Sequence, residues 1–367
     1  MLGGLSPENF LARYWHKKPL LIRQALPGFK GLLSPHDLMS LACRENVESR
    51  LVSQTRTSWK VVPGPFADKD FARLPKKHWT LLVQSVDHWL DAGADLLTRF
   101  DFIPRARLDD LMVSYAAPGG GVGPHFDSYD VFLLQGLGRR RWRISAQQDM
   151  ELLPGVPLRI LRRFEAEQEW VLEPGDMLYL PPHYAHDGIA EGECMTYSIG
   201  FRAPSAQELA VGFLDWLHEH LDLPGRYADP DLHRQRHPGE LSDDLVSQVA
   251  SLLGGMRWTD ADVARFAGSW FSEPKPSVFF EPPARPPGLA AFTRKLARRG
   301  VALDRRSRLL FRGRRFFCNG EEVAAPPRSA AALRALADGR RLAPGVYAPA
   351  LATLLHGWYE AGWLQWE

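Results

Sequence analysis

The sequence predicts a mainly β core, a sandwich or barrel, followed by a helical segment and a small C-terminal winged-helix-like α+β module. Three observations carry this. From Leu111 to Ala203, short apolar runs alternate with Gly and Pro punctuation, the pattern of many short strands and tight turns rather than of a parallel α/β sheet. At Pro204-Ser205 the apolar period becomes helical. Beyond a Pro-rich stretch, helical patterns flank a hairpin in under a hundred residues. With 367 residues, 45% hydrophobic and 24% charged, the chain has an ordinary globular composition and room for two or three domains.

The elements follow in order. In the mixed N-terminal hundred residues, Ser34-Pro35 offers a helix N-cap with proline at the first helical position, ahead of Leu38, Leu41 and Ala42 on one face. Trp79–Gln84 reads as a strand. The β region comprises Leu111–Ala116, Val131–Gln135, Arg141–Ile144, Met177–Leu180 and Met195–Phe201. Ser205 with Glu208 forms a capping box, and Leu209, Phe213, Leu217 and Leu221 make an apolar stripe. A second helix starts at Ser242, buries Leu245, Val249 and Leu252, and stops at Gly254-Gly255. A third starts at Thr259 with Asp262 as capping partner. These helices either make a dimer contact or pack on their own barrel. Phe271–Pro287 reads as a linker. A helix at Leu289–Arg299, a hairpin of Arg308–Phe311 and Arg315–Cys318, and helices near Ala330–Ala337 and Leu351–Gly362 complete the chain. The division is 1–204, 205–270 and 271–367.

No apolar run approaches the ~20 residues that span a bilayer, and the first residues lack the basic and apolar regions of a secretion signal. Cys43, Cys194 and Cys318 are too few and scattered for a disulfide framework or a Cys-rich zinc site, which fits a reducing cytoplasm. The net charge of +2 is unevenly spread: residues 269–367 hold 16 Lys/Arg against 8 Asp/Glu. Either this basic third meets an acidic or nucleic-acid-bearing partner, or its arginines decorate a solvated face.

Two fragments carry the chemistry, Gly119-Gly-Gly-Val-Gly-Pro-His125-Phe-Asp127 and Leu180-Pro-Pro-His183-Tyr-Ala-His186. His125 and Asp127 follow a glycine turn and precede an apolar strand, so at i and i+2 they share one face. The third donor must come from a neighbouring strand. His183 directly follows the prolines, whereas His186 lies where the chain re-enters the sheet and is preferred. His220-Leu-Asp222 has the same spacing, but on a helix those side chains diverge, leaving surface decoration. Two histidines and a carboxylate on one face of the ion suit non-haem Fe(II) and leave about three positions open; zinc more often keeps one. The alternative is a set of hydrogen-bonded structural histidines.

An open face has room for dioxygen and a bidentate keto acid such as 2-oxoglutarate, whose distal carboxylate needs a buried cation of fork geometry. In Gly138-Arg-Arg-Arg-Trp142-Arg-Ile144, strand alternation turns Arg140 inward with Trp142 and Ile144, and Arg139, Arg141 and Arg143 outward. An inward arginine needs an anion, either this carboxylate or a structural Asp or Glu. Ser114 is either a hydroxyl donor to the same carboxylate or a tolerated small core residue.

With these residues, the chain resembles the bacterial ribosomal oxygenases of the JmjC/cupin class. The resemblance is carried by Pro118–Asp130, Gln135–Arg143, Asp176–His186, Tyr197–Pro204 and Tyr14–Ile22, and is strongest over residues 14–204. It implies a double-stranded β-helix (jelly roll) catalytic domain with a mixed N-terminal extension, a helical dimerisation segment and a C-terminal winged-helix domain. It also implies Fe(II) and 2-oxoglutarate dependence, with His125, Asp127 and His186 matching the metal ligands, Arg140 matching the basic residue that holds the distal carboxylate, and no separate acid–base residue. The implied reaction is 3-hydroxylation of an arginine in the sixteenth large-subunit ribosomal protein. The expected setting is a cytoplasmic homodimer, with the basic C-terminal domain a candidate contact for ribosomal RNA. One departure is His183, where relatives tend to have glycine. Rival readings are a non-oxidative metal-binding cupin, a nucleic-acid-binding regulator with a sensing barrel, and the same chemistry on a histidine or another protein target.

Overall fold

The computed structural model describes residues 1–55 and 58–367. Its main sheet has nine antiparallel strands. The order is Leu20–Ile22, Met177–Leu180, Asp130–Ser145, Ala185–Phe201, Leu108–Ala116, Trp79–Val83, Ser49–Gln54 and Trp59–Pro63, with Gln168–Leu172 paired beside the second half of Asp130–Ser145. Two strands dominate, of 16 and 17 residues, and pair along nearly their whole length. The runs Val131–Gln135 and Arg141–Ile144, expected as separate strands, are therefore the two halves of one, and Met195–Phe201 ends the other.

The joint is built from glycine. Pairing shifts register between Gln135 and Arg139, and Gly138 takes φ +58°, where a Cβ would meet the Glu193 carbonyl oxygen at 1.9 Å. Such bulges bend and twist a ladder, so the two long strands fold over as a double-stranded β-helix. The irregular stretch also changes the side-chain phase: Val131 and Leu133 face the inside before it, Arg140, Trp142 and Ile144 after it.

The opposite face forms the main core, where Phe132, Leu134, Tyr179 and Tyr197 pack with Phe10 and Leu38 of N-terminal helices. Asp130, which interrupts the apolar pattern, is fully buried. It accepts hydrogen bonds from the Tyr179 hydroxyl at 2.5 Å and the His16 backbone N–H at 3.3 Å, and faces Arg107 at 3.4 Å. These contacts moor the Tyr14–Ile22 segment, whose last three residues pair with Met177–Tyr179.

The expected caps all form. Ser34, Ser205 and Thr259 head helices Pro35–Ala42, Ala206–His220 and Asp260–Ser272, each with a closed capping box. Helix Asp243–Leu253 also starts where expected, but it buries nothing: Val249 and Leu252 are exposed and Leu245 is half-buried. Among the described residues no element covers its apolar stripe, which corrects the expected burial. Helix Asp260–Ser272 packs Phe266 against Phe213 on one side and Gly268 against Phe317 on the other.

The C-terminal part combines helices Leu289–Leu296, Ala330–Gly339 and Pro349–Glu360 with two small sheets. The expected hairpin is a three-stranded sheet, Leu309–Arg312, Arg315–Cys318 and Glu321–Ala324. The third strand returns through Asn319-Gly320, both at positive φ, as a two-residue hairpin turn requires. Several of the surplus arginines are spent within the chain. Arg305 donates to Asp91 at 2.6 Å, and Arg308 to the Leu108 and Asp109 carbonyls at 3.1 and 2.8 Å. No helix among the described residues is long and apolar enough to cross a membrane.

Candidate metal centre

The glycine turn runs close against the sheet; a Cβ at Gly120 would lie 2.2 Å from the Trp79 carbonyl oxygen. It delivers His125 opposite His186, and the two exchange backbone hydrogen bonds of 2.9 and 2.8 Å. This is a single bridge, not a strand carrying both His125 and Asp127 as expected. The strand starts only at Asp130, because the Asp127 carbonyl accepts the His183 N–H (2.7 Å) instead of continuing the ladder.

The donor atoms of His125, Asp127 and His186 nevertheless lie within 4.8 Å of one another. His186 Nε2 is 3.7 Å from Asp127 Oδ2, and the two imidazole centroids are 4.2 Å apart. Each Nδ1 sits near a backbone carbonyl, Gly123 at 2.8 Å and Tyr184 at 2.9 Å. Donation there fixes the tautomer and leaves each Nε2 lone pair for a metal ion, the usual outer-shell arrangement for ligating histidines. Burial, helped by the neighbouring His125 and opposed by Asp127, pulls the His186 pKa down to about 4, so the ring is a neutral donor at physiological pH.

His183 stays outside this cluster. It is exposed and takes φ +61°, a left-handed turn that glycine adopts without cost. The imidazole there is a surface substituent on a turn whose backbone N–H supports Asp127.

The three donors open into a cavity of about 380 Å³, which Ser114 and Arg140 also line. Arg140 pairs with Ala190 across the ladder and is 5% exposed. Among the described residues, the guanidinium's one hydrogen bond runs from Nη1 to Ser114 Oγ at 3.4 Å, while Nε and Nη2 are buried without acceptors. Arg139, Arg141 and Arg143 point outward to Glu191, Glu169 and Asp187. Trp142 separates the inward guanidinium from the metal donors, 5.7 Å from Arg140 and 5.9 Å from the His186 ring. A dicarboxylate keto acid fits this arrangement, since the unpaired donors of a buried cation call for a carboxylate.

The cavity lining also includes residues that sequence reasoning missed, among them Asp109, Asp110, Tyr129 and Lys275. Two adjacent acids opening a β segment were a visible signal; a lysine in a Pro-rich linker was not.

A β-helix that gathers two histidines and an aspartate beside a buried arginine defines a JmjC-type protein. The JmjC domain family matches residues 95–209, and the ROXA-like winged helix family matches residues 255–365. Ribosomal protein uL16 3-hydroxylase of Escherichia coli is 37% identical over 95% of this chain and 92% of that protein. A probable ribosomal oxygenase of Haemophilus influenzae is 40% identical over 68% of this chain and 63% of that one. The E. coli ribosomal oxygenase YcfD, solved with cobalt and 2-oxoglutarate, superposes with a TM-score of 0.85 at 34% identity, covering 99% of both chains. The chain belongs to the ribosomal oxygenase family.

Proposed function

We propose that this protein is an Fe(II)- and 2-oxoglutarate-dependent hydroxylase that installs a 3-hydroxyl group on an arginine of a large-subunit ribosomal protein. The observation that carries this reading is the pairing, in one cavity, of a three-donor cluster with a buried arginine whose Nε and Nη2 have no acceptor among the described residues. The family relatives named above support the ribosomal substrate.

His125, Asp127 and His186 would hold the iron from one side, leaving the cavity side open. When bound, iron and 2-oxoglutarate supply the oxidising power that exchanges a C–H for a C–OH bond using dioxygen, with succinate and carbon dioxide as coproducts. Arg140, assisted by Ser114, would receive the distal carboxylate. The apolar wall of Val131, Leu133 and Trp142 keeps water from the reacting centre. Neutral His186 needs no proton removed before it ligates. No side chain is assigned a separate acid–base role.

The finer partner assignments are also part of this reading. The division remains 1–204 catalytic, 205–270 dimerisation and 271–367 linker and winged helix. The uncovered stripe of helix Asp243–Leu253 would meet a second copy. Exposed Arg312 and Arg314, on the turn of the C-terminal hairpin, are suited to ribosomal RNA. Residence in the cytoplasm follows from a ribosomal substrate.

Incubation of the purified protein with Fe(II), 2-oxoglutarate and large-subunit ribosomal proteins should add the mass of one oxygen atom to one of them. Mass spectrometry locates it on an arginine, and Asp127→Ala should abolish it. Addition without 2-oxoglutarate, or none by the wild-type protein, rejects the reading.

A further inference from the structure

The start of strand Leu108–Ala116 is bulged: its pairing with the Ala185–Phe201 strand slips between Leu108 and Leu111. Neighbours in a regular strand point to opposite faces, yet Asp109 and Asp110 both line the active-site cavity. The slip is what lets both turn there.

At the same place the Leu108 and Asp109 carbonyls accept from a residue of the C-terminal module. Arg308 spans them with its two terminal nitrogens, Nη1 to Leu108 O at 3.1 Å and Nη2 to Asp109 O at 2.8 Å. The side chain is largely buried, and burial together with nearby Arg202 lowers its pKa to about 10, so it stays charged at neutral pH. Lys275, from the linker, adds contacts to Asp109 Oδ1 (3.2 Å) and Asp110 Oδ2 (3.0 Å), and Arg202 lies 3.6 Å from Asp109. The same Asp110 oxygen also accepts from the Ser85 backbone N–H and hydroxyl, both at 3.0 Å. Lys275 itself lines the cavity.

The contact is not what holds the module in place overall. Arg305 reaches Asp91, Arg105 donates to the Ala337 carbonyl at 3.1 Å, and Arg265 pairs with Glu322.

We propose that Arg308 is a positioning residue for the protein substrate: from the C-terminal module it holds the bulge at Leu108–Asp110, whose two aspartates form one wall of the active-site cavity. The module is thereby a working part of the catalytic site, although it does not reach the metal donors. On this proposal the polypeptide lies along this wall and 2-oxoglutarate at Arg140, so the two ligands respond differently when the clamp is lost. This rests on the functional reading above only for the identity of the substrate.

The test uses the full chain as Arg308→Met and Arg308→Lys, the latter keeping the charge but losing the fork. With the ribosomal-protein arginine peptide, both variants should raise the peptide KM about tenfold or more. The 2-oxoglutarate KM and the slow peptide-independent succinate formation should match wild type. A peptide KM that does not change, or KM values for both ligands rising together, overturns the proposal. So does full rescue by lysine, which would mean that charge alone acts. If wild-type protein leaves the peptide unmodified, the functional reading fails but the clamp is still tested by amide hydrogen exchange. Exchange at Ser85 and Asp109–Leu111 should then accelerate in Arg308→Met while Met177–Leu180 stays protected; unchanged exchange overturns it. Should Arg308→Met not fold, Arg308→Lys gives the same two readouts.

Discussion

Arg140 places a guanidinium inside the barrel, and its one hydrogen bond among the described residues is the long contact to Ser114. An unpaired buried cation is costly, so the site is built for an anion before one arrives. Arg140→Met keeps much of the volume and removes the charge-assisted bonds, about 1.5–3 kcal/mol. The 2-oxoglutarate KM should therefore rise roughly ten- to a hundredfold with the metal affinity intact; steady-state kinetics with varied 2-oxoglutarate checks this, and unchanged dependence excludes Arg140 as the anchor. The orientation of this residue was legible because the reading was local: Trp142 and Ile144 set the phase on either side. Counting alternation from Val131 would have failed, since the phase changes across Gly136–Arg139. His125 and Asp127 were legible as donors but not in their backbone setting, where a carbonyl taken by the His183 turn replaces an expected ladder bond. Lys275 and Arg308 were illegible because their roles arise only when distant segments meet.

At the scale of elements, caps and apolar periods gave the helices closely, because both signals are local. The strands came out as fragments. Glycines that punctuate a sequence also mark bends within one strand, and only pairing distinguishes the two. Gly138 tests this: alanine there must take φ +58° and displace the Glu193 carbonyl. Gly138→Ala should cost about 1–3 kcal/mol, measured as a lower urea midpoint at unchanged slope; an unaltered midpoint would show that the bend tolerates a side chain. The third strand of the C-terminal sheet was missed although Asn319-Gly320 is among the strongest hairpin dipeptides, because the segment after it, Glu321-Glu322-Val323-Ala324, is polar. That strand lies on the outside, with Glu321 exposed and Glu322 paired to Arg265.

For the whole molecule, the charge imbalance had two readings, an external acidic partner or a solvated face, and the structure adds a third. Arg305, Arg308 and Lys275 meet acids of the remainder, so part of the asymmetry is internal complementarity. The helical segment is less self-contained. Val246 and Leu253 of helix Asp243–Leu253 are 52% and 54% exposed, and Leu214 of the preceding helix 58%. Exposed apolar stripes of this kind mark interaction sites, consistent with the proposed second copy. Sedimentation should find a dimer for the wild-type chain and a monomer for the Val246→Glu/Leu253→Glu double variant, with the fold preserved by circular dichroism; an unshifted dimer would move the interface elsewhere.

The bulge at Leu108–Asp110 also bears on how such proteins can be recombined. A chimaera joining this barrel to a relative's C-terminal third inherits two carbonyls and two carboxylates whose counterparts reside across the junction. Only donors with cations equivalent to Lys275 and Arg308 would restore that seat, so residues 109, 110, 275 and 308 form one heritable unit despite their separation along the chain.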